Sequence, residues 1–378
     1  MAKTGRLLVP WYRYPPFSDD RIGGLSVVVW ELTPELARLG VEVDILTPSP
    51  APQNRVIPPG VRVVTSPLGE KFFRNRAPDR DEETLLEGYD SVLSIANYGA
   101  KTLSSSKSVL KRVTRQIHAV GQDRDLGTYL SLQPSIVEYL KMMRAKQIDE
   151  RNLRLLKGSR TICVSEYLRQ KMQSGLEDVA NLFQIPNGVQ TEKFRPMNAE
   201  KKYDILTFGR FQKSKGLDIL LNAFNMIAKT RRQSYKLAIV GQFSVKERNC
   251  LLDLLTAGPK SKVIFLGTIR REELPAVING AKALIVPSRY ESFGLPALEA
   301  IACGVPVLAA RVGGLPEIVD ESVGKLVEPN NAEALAKAIP DTLQDSALAR
   351  SVAIAGPEKA RRYDWKRIAP EIQSTLFS

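Results

Sequence analysis

Residues 287–319, PSRYESFGLPALEAIACGVPVLAARVGGLPEIV, decide the fold of this chain. The short apolar run at 283–286 before them is typical of a buried parallel strand, and Pro296 opens a run of good helix formers. The resulting order is strand, polar loop, helix. Such a loop lies at the carboxyl end of its strand, where open α/β sheets bind ligands. We therefore expect the backbone N–H groups near Gly294 and Leu295 to face an anion.

Two carboxylates flank the start of this helix, Glu291 in the loop and Glu299 more than a turn into the helix. Ionised carboxylates only accept hydrogen bonds, so the pair suits a ligand with many hydroxyls. Combined with a phosphate at the helix N-terminus, the pair indicates a sugar nucleotide. The alternative is a solvated pair beside an ordinary helix, and the surrounding residues 291–307, ESFGLPALEAIACGVPV, disfavour it.

The segment resembles the EX7E motif of the retaining glycosyltransferases of family 4, whose fold is called GT-B. The resemblance implies an α/β protein with two Rossmann-like parallel-sheet domains facing across a cleft, and a C-terminal helix that returns to the N-terminal domain. It also implies that Glu291 faces the donor sugar and that Glu299 holds the nucleotide ribose. Phe293, Gly294 and Leu295 are expected to bind the donor as well.

Strands and helices alternate in two rounds, which is the pattern of parallel sheets. Residues 185–196, IPNGVQTEKFRP, lie between the rounds and resemble the family's interdomain signature, with Gln190 where aspartate is usual. We expect an acceptor-side domain over residues 1–188 with a returning helix at 363–378, and a donor-binding domain over residues 189–362.

Prolines interrupt two of the expected helices. Pro34 lies inside the first helix, expected at 25–39, and we predict that it kinks or divides that helix. Pro370 is awkward in the returning helix for the same reason, because a proline removes a hydrogen bond and clashes with the preceding turn.

Length and composition fit this organisation. A chain of 378 residues is too long for one ordinary core and matches two α/β domains. Its hydrophobic share of 43% and charged share of 25% are those of a soluble globular protein, and no apolar run is long enough to span a membrane. The first residues enter a strand without the apolar core of a signal peptide, which predicts a cytoplasmic protein. Three cysteines, widely spaced, indicate neither disulfides nor zinc, and we expect them to be buried.

The net charge of +13 would attract phosphates, nucleic acid or an anionic membrane leaflet. No nucleic-acid motif is present. The densest basic stretch, residues 141–160, has helical spacing and is interpreted most simply as a surface helix. The basic and aromatic loop at 71–76 would either rest on lipid head groups or cover the N-terminal sheet. Peripheral contact with the inner leaflet is thus one hypothesis.

The second half also supplies positive charge for the donor. Residues 209–216, GRFQKSKG, resemble the family's G-R-x-x-x-x-K-G element, in which Arg210 and Lys215 match the ligands of the donor diphosphate. Preplaced cations would stabilise the charge that develops on the departing diphosphate. The alternative is that Arg210 and Lys215 are ordinary solvated charges of a loop. Lys213, between them, is expected to make no contact with the donor.

Three candidates come from the first half. Gly23 and Gly24 precede a helix and match the family's paired glycines at the donor phosphate, although two such glycines alone would indicate a tight turn. His118, the only histidine, ends a strand where the family has a histidine against the donor sugar. We expect it to contact a sugar hydroxyl and to steady the developing oxocarbenium charge. General-base action is the less favoured role, and a structural histidine is the alternative.

Acceptor contacts are expected from the first half too. Trp11, Tyr12 and Tyr14 would stack on an acceptor sugar or simply pack, and Asp125 would lie near the acceptor. The D-x-D patterns at 79–81 and 123–125 are interpreted as solvated loops. Because the cations of the second half already neutralise the phosphates, neither a metal nor another cofactor is expected.

These observations together predict a cytoplasmic, retaining and metal-independent glycosyltransferase. It would use a nucleotide-sugar donor and a hydroxyl-bearing acceptor that is a saccharide, a natural product or a lipid-linked glycan. A front-face substitution is favoured, since no protein nucleophile stands out. The enzymatic alternatives on the same fold are a nucleotide-sugar epimerase and a phosphorylase. A catalytically silent basic module that binds a partner or a membrane is the alternative from another class.

Overall fold

The structure is a computed structural model. It describes residues 4–11, 24–47, 57–66, 80–96, 100–104, 107–118, 147, 151–152, 154–155, 157–175, 181–231, 235–256 and 262–378. The chain divides into two compact units, Met1–Gly188 with Trp365–Ser378, and Val189–Asp364. The chain thus returns to the first unit after Asp364, two residues later than the expected domain boundary after residue 362.

The first unit contains a parallel seven-stranded sheet in the order β3-β2-β1-β4-β5-β6-β7. Its strands are β1 Arg6–Pro10, β2 Glu42–Thr47, β3 Val61–Thr65, β4 Ser91–Ile95, β5 Val113–Ile117, β6 Arg160–Cys163 and β7 Leu182–Gln184. Every residue of β4 and β5 is buried. Continuous burial is typical of a parallel strand covered on both faces, and here it extends to polar side chains such as Arg115 and Gln116 of β5.

The described helices of the first unit connect and cover these strands. They are α1 Gly24–Arg38, α2 Arg80–Glu87, α3 Ala100–Ser104, α4 Lys107–Leu110 and α5 Glu166–Gly175, followed at the end of the chain by a returning helix, Trp365–Leu376. A core cluster that includes Leu8, Leu86 and Val113 lies between the sheet and the short helices.

The returning helix packs on α1. The Trp365 indole donates a hydrogen bond from Nε1 to Oε2 of Glu31 at 2.7 Å, and both side chains are buried. A Cβ at Gly188 would lie 2.3 Å from the Trp365 ring, so only glycine leaves room for the indole there. The predicted return of the C-terminal helix to the first domain is therefore confirmed.

The second unit contains a parallel six-stranded sheet in the order β10-β9-β8-β11-β12-β13. Its strands are β8 Tyr203–Phe208, β9 Leu237–Val240, β10 Val263–Gly267, β11 Ala281–Val286, β12 Val307–Ala310 and β13 Gly324–Val327. The order reverses at β8, which lies between β9 and β11. Loops that follow β8 and β11 therefore meet at the carboxyl edge where a Rossmann-like sheet binds ligands.

The helices of the second unit flank this sheet. They are α6 Leu217–Arg231, α7 Val245–Asp253, α8 Leu274–Asn279, α9 Leu295–Ala302, α10 Leu315–Ile318, α11 Ala332–Gln344 and α12 Ser346–Arg361, and the returning helix is therefore α13. Ser244 and Glu247 form a capping box at the start of α7, and Asn331 caps α11. The main core cluster joins α6, α11 and the central strands.

Prolines inside helices do not divide them. Helix α1 continues through Pro34, and α13 continues through Pro370. Pro34 therefore does not divide the first helix, and the kink that was the other expected outcome stays a prediction. In α1 the Thr33 hydroxyl donates to the Val29 carbonyl at 2.8 Å, within the turn that Pro34 deprives of one backbone hydrogen bond.

Cysteine burial follows the expectation in two cases of three. Cys163 and Cys303 are buried, whereas Cys250 is exposed, so that part of the prediction is wrong. Burial raises the pKa of both Cys163 and Cys303 to about 12, and the neighbouring Glu299 charge adds to the effect at Cys303. In the described part of the chain, no helix combines the length and the apolarity needed to cross a bilayer.

Candidate active site

The loop after β8 is built around a glycine that approaches the next loop. After Gly209, residues Lys213–Lys215 form one 3₁₀ turn that ends at Gly216 with φ of 66°. A Cβ at Gly216 would lie 1.9 Å from the carbonyl oxygen of Pro287, in the loop after β11. Only glycine permits this approach, and it places the G-R-x-x-x-x-K-G segment against the loop that carries Glu291.

The main chain at Glu291 is fixed from a third strand. The Gly314 N–H donates to the Glu291 carbonyl at 3.0 Å, and a Cβ at Gly313 would lie 1.7 Å from that same oxygen. Gly313 has φ of 55°, in the left-handed region that favours glycine. The turn after β12 thus fixes the position of the Glu291 backbone at the carboxyl edge of the sheet.

Lys215 and Glu291 meet in one ion pair. The Lys215 ammonium lies 2.9 Å from Oε2 of Glu291, and their side chains are 27% and 13% exposed. These two residues were predicted separately, one for the diphosphate and one for the sugar. The structure brings them together within one hydrogen bond, in a partly open position that a ligand can reach.

Arg210, five residues before Lys215 in the sequence, is a second cation of this loop. Arg210 is exposed and forms no ion pair with a carboxylate of the described residues. A guanidinium in this state can meet an anionic ligand without first breaking a contact. Lys213, the expected bystander, is also exposed.

Helix α9 begins where the sequence predicts. Gly294 is its N-cap with φ of 108°, and a Cβ there would lie 2.7 Å from Leu315. The Phe293 side chain is buried at 3% exposure, and its ring meets the Tyr363 ring edge-on, with 6.0 Å between centroids. Its side chain therefore packs inside the second unit. Leu295 is also buried, so any donor contact at this position belongs to the backbone N–H groups of the first turn.

Glu299 has a different partner from Glu291. It is only 4% exposed, and its Oε1 accepts a hydrogen bond from Nη1 of Arg271 at 2.5 Å. Arg271 is itself buried, and its guanidinium lies over the Phe194 ring, 4.3 Å from the centroid. A buried cation needs a carboxylate close by, so the pair is held as a unit. The expected ribose contact of Glu299 stays a prediction.

Sequence reasoning missed Arg271. The nearest local signal is that Arg271 lies in the loop after β10, which begins at the carboxyl edge of the sheet, where ligands bind. Phe194 belongs to the interdomain signature, which identified it only as part of a turn-rich segment. A partner 28 residues away in the chain cannot be inferred from a local pattern.

His118 is placed by the first unit, directly after β5. Burial lowers the pKa of the imidazole to about 3, so the ring is neutral at physiological pH. Its Nε2 atom is enclosed and has no hydrogen-bond partner among the described residues. A neutral ring can exchange one hydrogen bond with a hydroxyl, whereas so low a pKa makes it a weak general base.

The remaining candidates of the first unit are only partly described. Trp11 is buried at 3% exposure and donates its backbone N–H to Leu46, which is the packing that the alternative interpretation requires. Gly24 is the first residue of α1. The other candidates, Tyr12, Tyr14, Gly23 and Asp125, lie outside the described residues. Their contacts with donor or acceptor stay predictions.

No group of three or more histidine, cysteine, aspartate or glutamate side chains is placed to hold a metal ion within the described ranges. Most of the two D-x-D patterns lies outside those ranges, so the expectation of a metal-free site stays a prediction.

Two family models match adjacent parts of the chain. The model described as Glycosyl transferases group 1 matches residues 189–359, and the model described as Glycosyltransferase Family 4 matches residues 22–193. The two matches overlap at residues 189–193 and together cover residues 22–359, which include every strand of the two sheets except β1.

Individual proteins agree with the family models. The chain is similar to a D-inositol 3-phosphate glycosyltransferase of Nocardiopsis dassonvillei, with 28% identity over 93% of this chain and 88% of the relative. Its fold matches that of a sucrose-phosphate synthase from Thermosynechococcus elongatus, with a TM-score of 0.75, 23% identity and 97% of each chain covered. It also matches Anabaena HepE in complex with UDP-glucose, with a TM-score of 0.71, 19% identity and coverage of 98% and 99%. The expected fold of two Rossmann-like domains is confirmed.

Proposed function

Because the chain belongs to the glycosyltransferases of family 4, we propose that it transfers a sugar from a nucleotide-diphosphate sugar to a hydroxyl of an acceptor, with retention of anomeric configuration and without a metal ion. The observation that carries this proposal is the Lys215–Glu291 ion pair, held by two glycine-built loops at the carboxyl edge of the second sheet. The pair joins a phosphate-binding cation to a hydroxyl-binding carboxylate at a single point.

The donor would contact both members of this pair. The diphosphate takes charge-assisted hydrogen bonds from Arg210 and Lys215, and the first-turn N–H groups of α9 add a third source of positive potential. Glu291, released from Lys215, accepts hydrogen bonds from hydroxyls of the donor sugar. Glu299 accepts from the ribose. That HepE, a protein of similar fold, binds UDP-glucose supports a nucleotide-sugar donor.

The reaction exchanges one bond at the anomeric carbon for another. The bond between this carbon and the diphosphate oxygen breaks, and its electron pair leaves with the phosphate. The acceptor oxygen attacks from the same face, and its proton passes to the departing phosphate oxygen. Arg210 and Lys215 stabilise the charge that grows on the leaving group, so they act more strongly in the transition state than in the ground state. For His118 we propose a contact with a sugar hydroxyl through its neutral ring.

The acceptor is proposed to be rich in hydroxyls or anionic. The net charge of +13 supports an anionic partner, and the similarity to a D-inositol 3-phosphate glycosyltransferase is consistent with a phosphorylated polyol. We place this enzyme in the cytoplasm, with the inner leaflet as a surface where a lipid-linked acceptor would be met.

A donor screen tests the proposal. UDP-glucose, UDP-N-acetylglucosamine, GDP-mannose and ADP-glucose are added to the protein, with and without EDTA, while thermal unfolding and nucleotide release are measured. We expect at least one donor to raise Tm and to release its nucleoside diphosphate equally well in EDTA. Loss of all activity in EDTA, restored by magnesium or manganese, would overturn the metal-free mechanism.

The product identifies the reaction type. NMR of the transferred sugar is expected to show the donor's anomeric configuration, and an inverted linkage would contradict retention. Conversion of the donor to its epimer without any acceptor would identify an epimerase instead. A chain that binds nucleotides but neither hydrolyses nor transfers the sugar would be the silent binding module.

A further inference from the structure

Two backbone contacts join the Lys215 turn to the Glu291 loop. The Arg289 N–H donates to the Ser214 carbonyl at 2.9 Å, and Gly216 lies directly against the carbonyl of Pro287. These contacts connect segments that follow the neighbouring strands β8 and β11. Neither contact involves the side chains that were assigned to the donor.

The Arg289 side chain strengthens this junction. Its Nη1 and Nη2 donate to the two carboxylate oxygens of Asp218 at 2.8 and 2.7 Å, and Nη1 also donates to the Lys213 carbonyl at 2.7 Å. The Arg289 side chain is only 8% exposed. Burial alone would raise the pKa of the Asp218 carboxyl, but the hydrogen bonds and charge of Arg289 lower it below its ordinary value, so the pair is ionised.

The contacts of Arg289 lie close in the sequence to both donor-facing residues. Arg289 lies two residues before Glu291, while Lys213 and Asp218 lie two residues before and three residues after Lys215. One guanidinium therefore bonds to both sides of the Lys215 turn from the loop that carries Glu291. Asp218 is in the first turn of α6, so the junction also reaches the helix that follows the turn.

The junction becomes important when the donor binds. In the structure, the Lys215–Glu291 bond itself helps to hold the two loops together. A diphosphate that takes Lys215 away from Glu291 removes this bond, whereas the Arg289 contacts with Asp218 and Lys213 involve no donor-facing atom. A planar fork with two parallel hydrogen bonds also fixes direction in a way that a single ammonium cannot.

We propose that Arg289, held by Asp218, is a positioning residue that keeps the Lys215 turn in place against the Glu291 loop while Lys215 changes partner from Glu291 to the donor diphosphate. This inference rests on the proposed function, since it requires a diphosphate at Lys215. Arg289 acts through Lys215 and touches neither the donor nor the acceptor.

A double-mutant cycle separates positioning from simple structural support. Arg289→Lys keeps the charge but loses the fork, and it is combined with Lys215→Ala. Affinity for UDP and GDP is measured by calorimetry, kcat and KM are measured with the donor that the wild type uses, and Tm is measured for every variant. Arg289→Lys is expected to lower kcat/KM for the donor by about tenfold, below the roughly hundredfold loss that a misplaced catalytic group can cause. In the Lys215→Ala background, the same change is expected to cost less than about twofold.

A matched control uses a second arginine fork, whose arginine side chain is 32% exposed. Arg169 donates from Nε and Nη2 to the two oxygens of Glu166 at 2.6 Å each, in α5 of the first unit. Arg169→Lys makes the same chemical change there and is expected to leave kcat/KM within about twofold of the wild type. Asp218→Asn, which removes the ionic partner of Arg289, provides a second test variant if Arg289→Lys fails to fold.

The outcomes distinguish the inference from the proposed function. Equal losses from Arg289→Lys in the wild-type and Lys215→Ala backgrounds would overturn the positioning role, as would unchanged kinetics in both test variants. A wild type that transfers sugar and shows such additivity would retain the proposed function and lose only this inference. A wild type that binds neither nucleotide and transfers no sugar would overturn both.

Discussion

Replacing Lys215 with alanine separates what this residue does for folding from what it does for catalysis. In the folded chain the Lys215 side chain is 27% exposed and its ammonium lies 2.9 Å from Glu291. An ion pair that water reaches contributes about 0.2–1 kcal/mol to stability. Losing it should therefore lower Tm by only a few degrees, roughly the shift that about 1 kcal/mol causes in a domain of this size.

The kinetic loss should be much larger. At the departing diphosphate, Lys215 meets charge that grows as the bond breaks, and removing one such contact costs on the order of a hundredfold in turnover. A hundredfold loss in kcat/KM corresponds to about 2.7 kcal/mol of transition-state stabilisation. The kinetic effect thus exceeds even the upper end of the stability effect by a factor of about three, which makes the two roles separable.

The assay compares Lys215→Ala with an ion pair from the opposite edge of the same sheet. Lys282 lies 2.7 Å from Asp204, and the two residues occupy the amino-terminal parts of β11 and β8. Lys282→Ala should produce a similar small change in Tm and leave donor kcat/KM unchanged. Steady-state rates for Lys215→Ala within about threefold of the wild type would refute the assignment to the leaving group. A kinetic loss of the same size in Lys282→Ala would refute it too.

Three further predictions concern the other candidates. Glu299→Gln should weaken nucleoside diphosphate binding more than it lowers kcat, and Glu291→Gln should do the reverse; indistinguishable kinetic profiles would remove both roles. The His118 ring should stay neutral down to about pH 5 in NMR of its nitrogens, because burial lowers its pKa to about 3, and protonation near the ordinary value of 6.5 would contradict this. Below pH 6.5 the unfolded chain takes up a proton at His118 and the folded chain does not. The free energy of unfolding should therefore be unaffected by His118 above pH 6.5 and should fall as pH drops toward 3. This part of the pH dependence should be absent in His118→Asn. Because Trp11 is buried, Trp11→Ala should lower Tm and leave acceptor KM unchanged, whereas a raised acceptor KM with little change in Tm would assign Trp11 to the acceptor.

Much of the fold was predictable because each element has a local cause. Parallel strands buried on both faces leave apolar runs, so β11 was expected at 283–286 and begins only two residues earlier, at Ala281. Prolines in the first turn fix helix starts, as Pro296 does for α9. Pro275 lies in the same way in the first turn of α8, which begins at Leu274. A helix end is harder to predict, as at α7, which ends at Asp253 although Leu254 and Leu255 still donate turn-like hydrogen bonds to the carbonyls of Leu251 and Leu252.

The candidate site was predictable as a set of residues and not as a set of contacts. Lys215 and Glu291 were both identified from motifs, yet their ion pair joins positions 76 residues apart and depends on the order of the strands. Arg271 and Arg289 belong to no motif, because each acts by reaching a carboxylate on another element. Such partners follow from the sheet order, which no local pattern of charges contains.

The two glutamates of the motif are paired with cations of different mobility. This difference indicates which of the two ion pairs opens when the donor binds. Arg271 is enclosed between Glu299 and the Phe194 ring, so its fork cannot leave without exposing a buried charge. Lys215 carries a point charge on a flexible stem in a partly open position, so it can move to a phosphate while its backbone stays in place. In the proposed reaction, donor binding therefore leaves the Glu299 pair intact and opens the Glu291 pair. The same movement that brings a cation to the leaving group also frees the carboxylate that accepts the sugar hydroxyls.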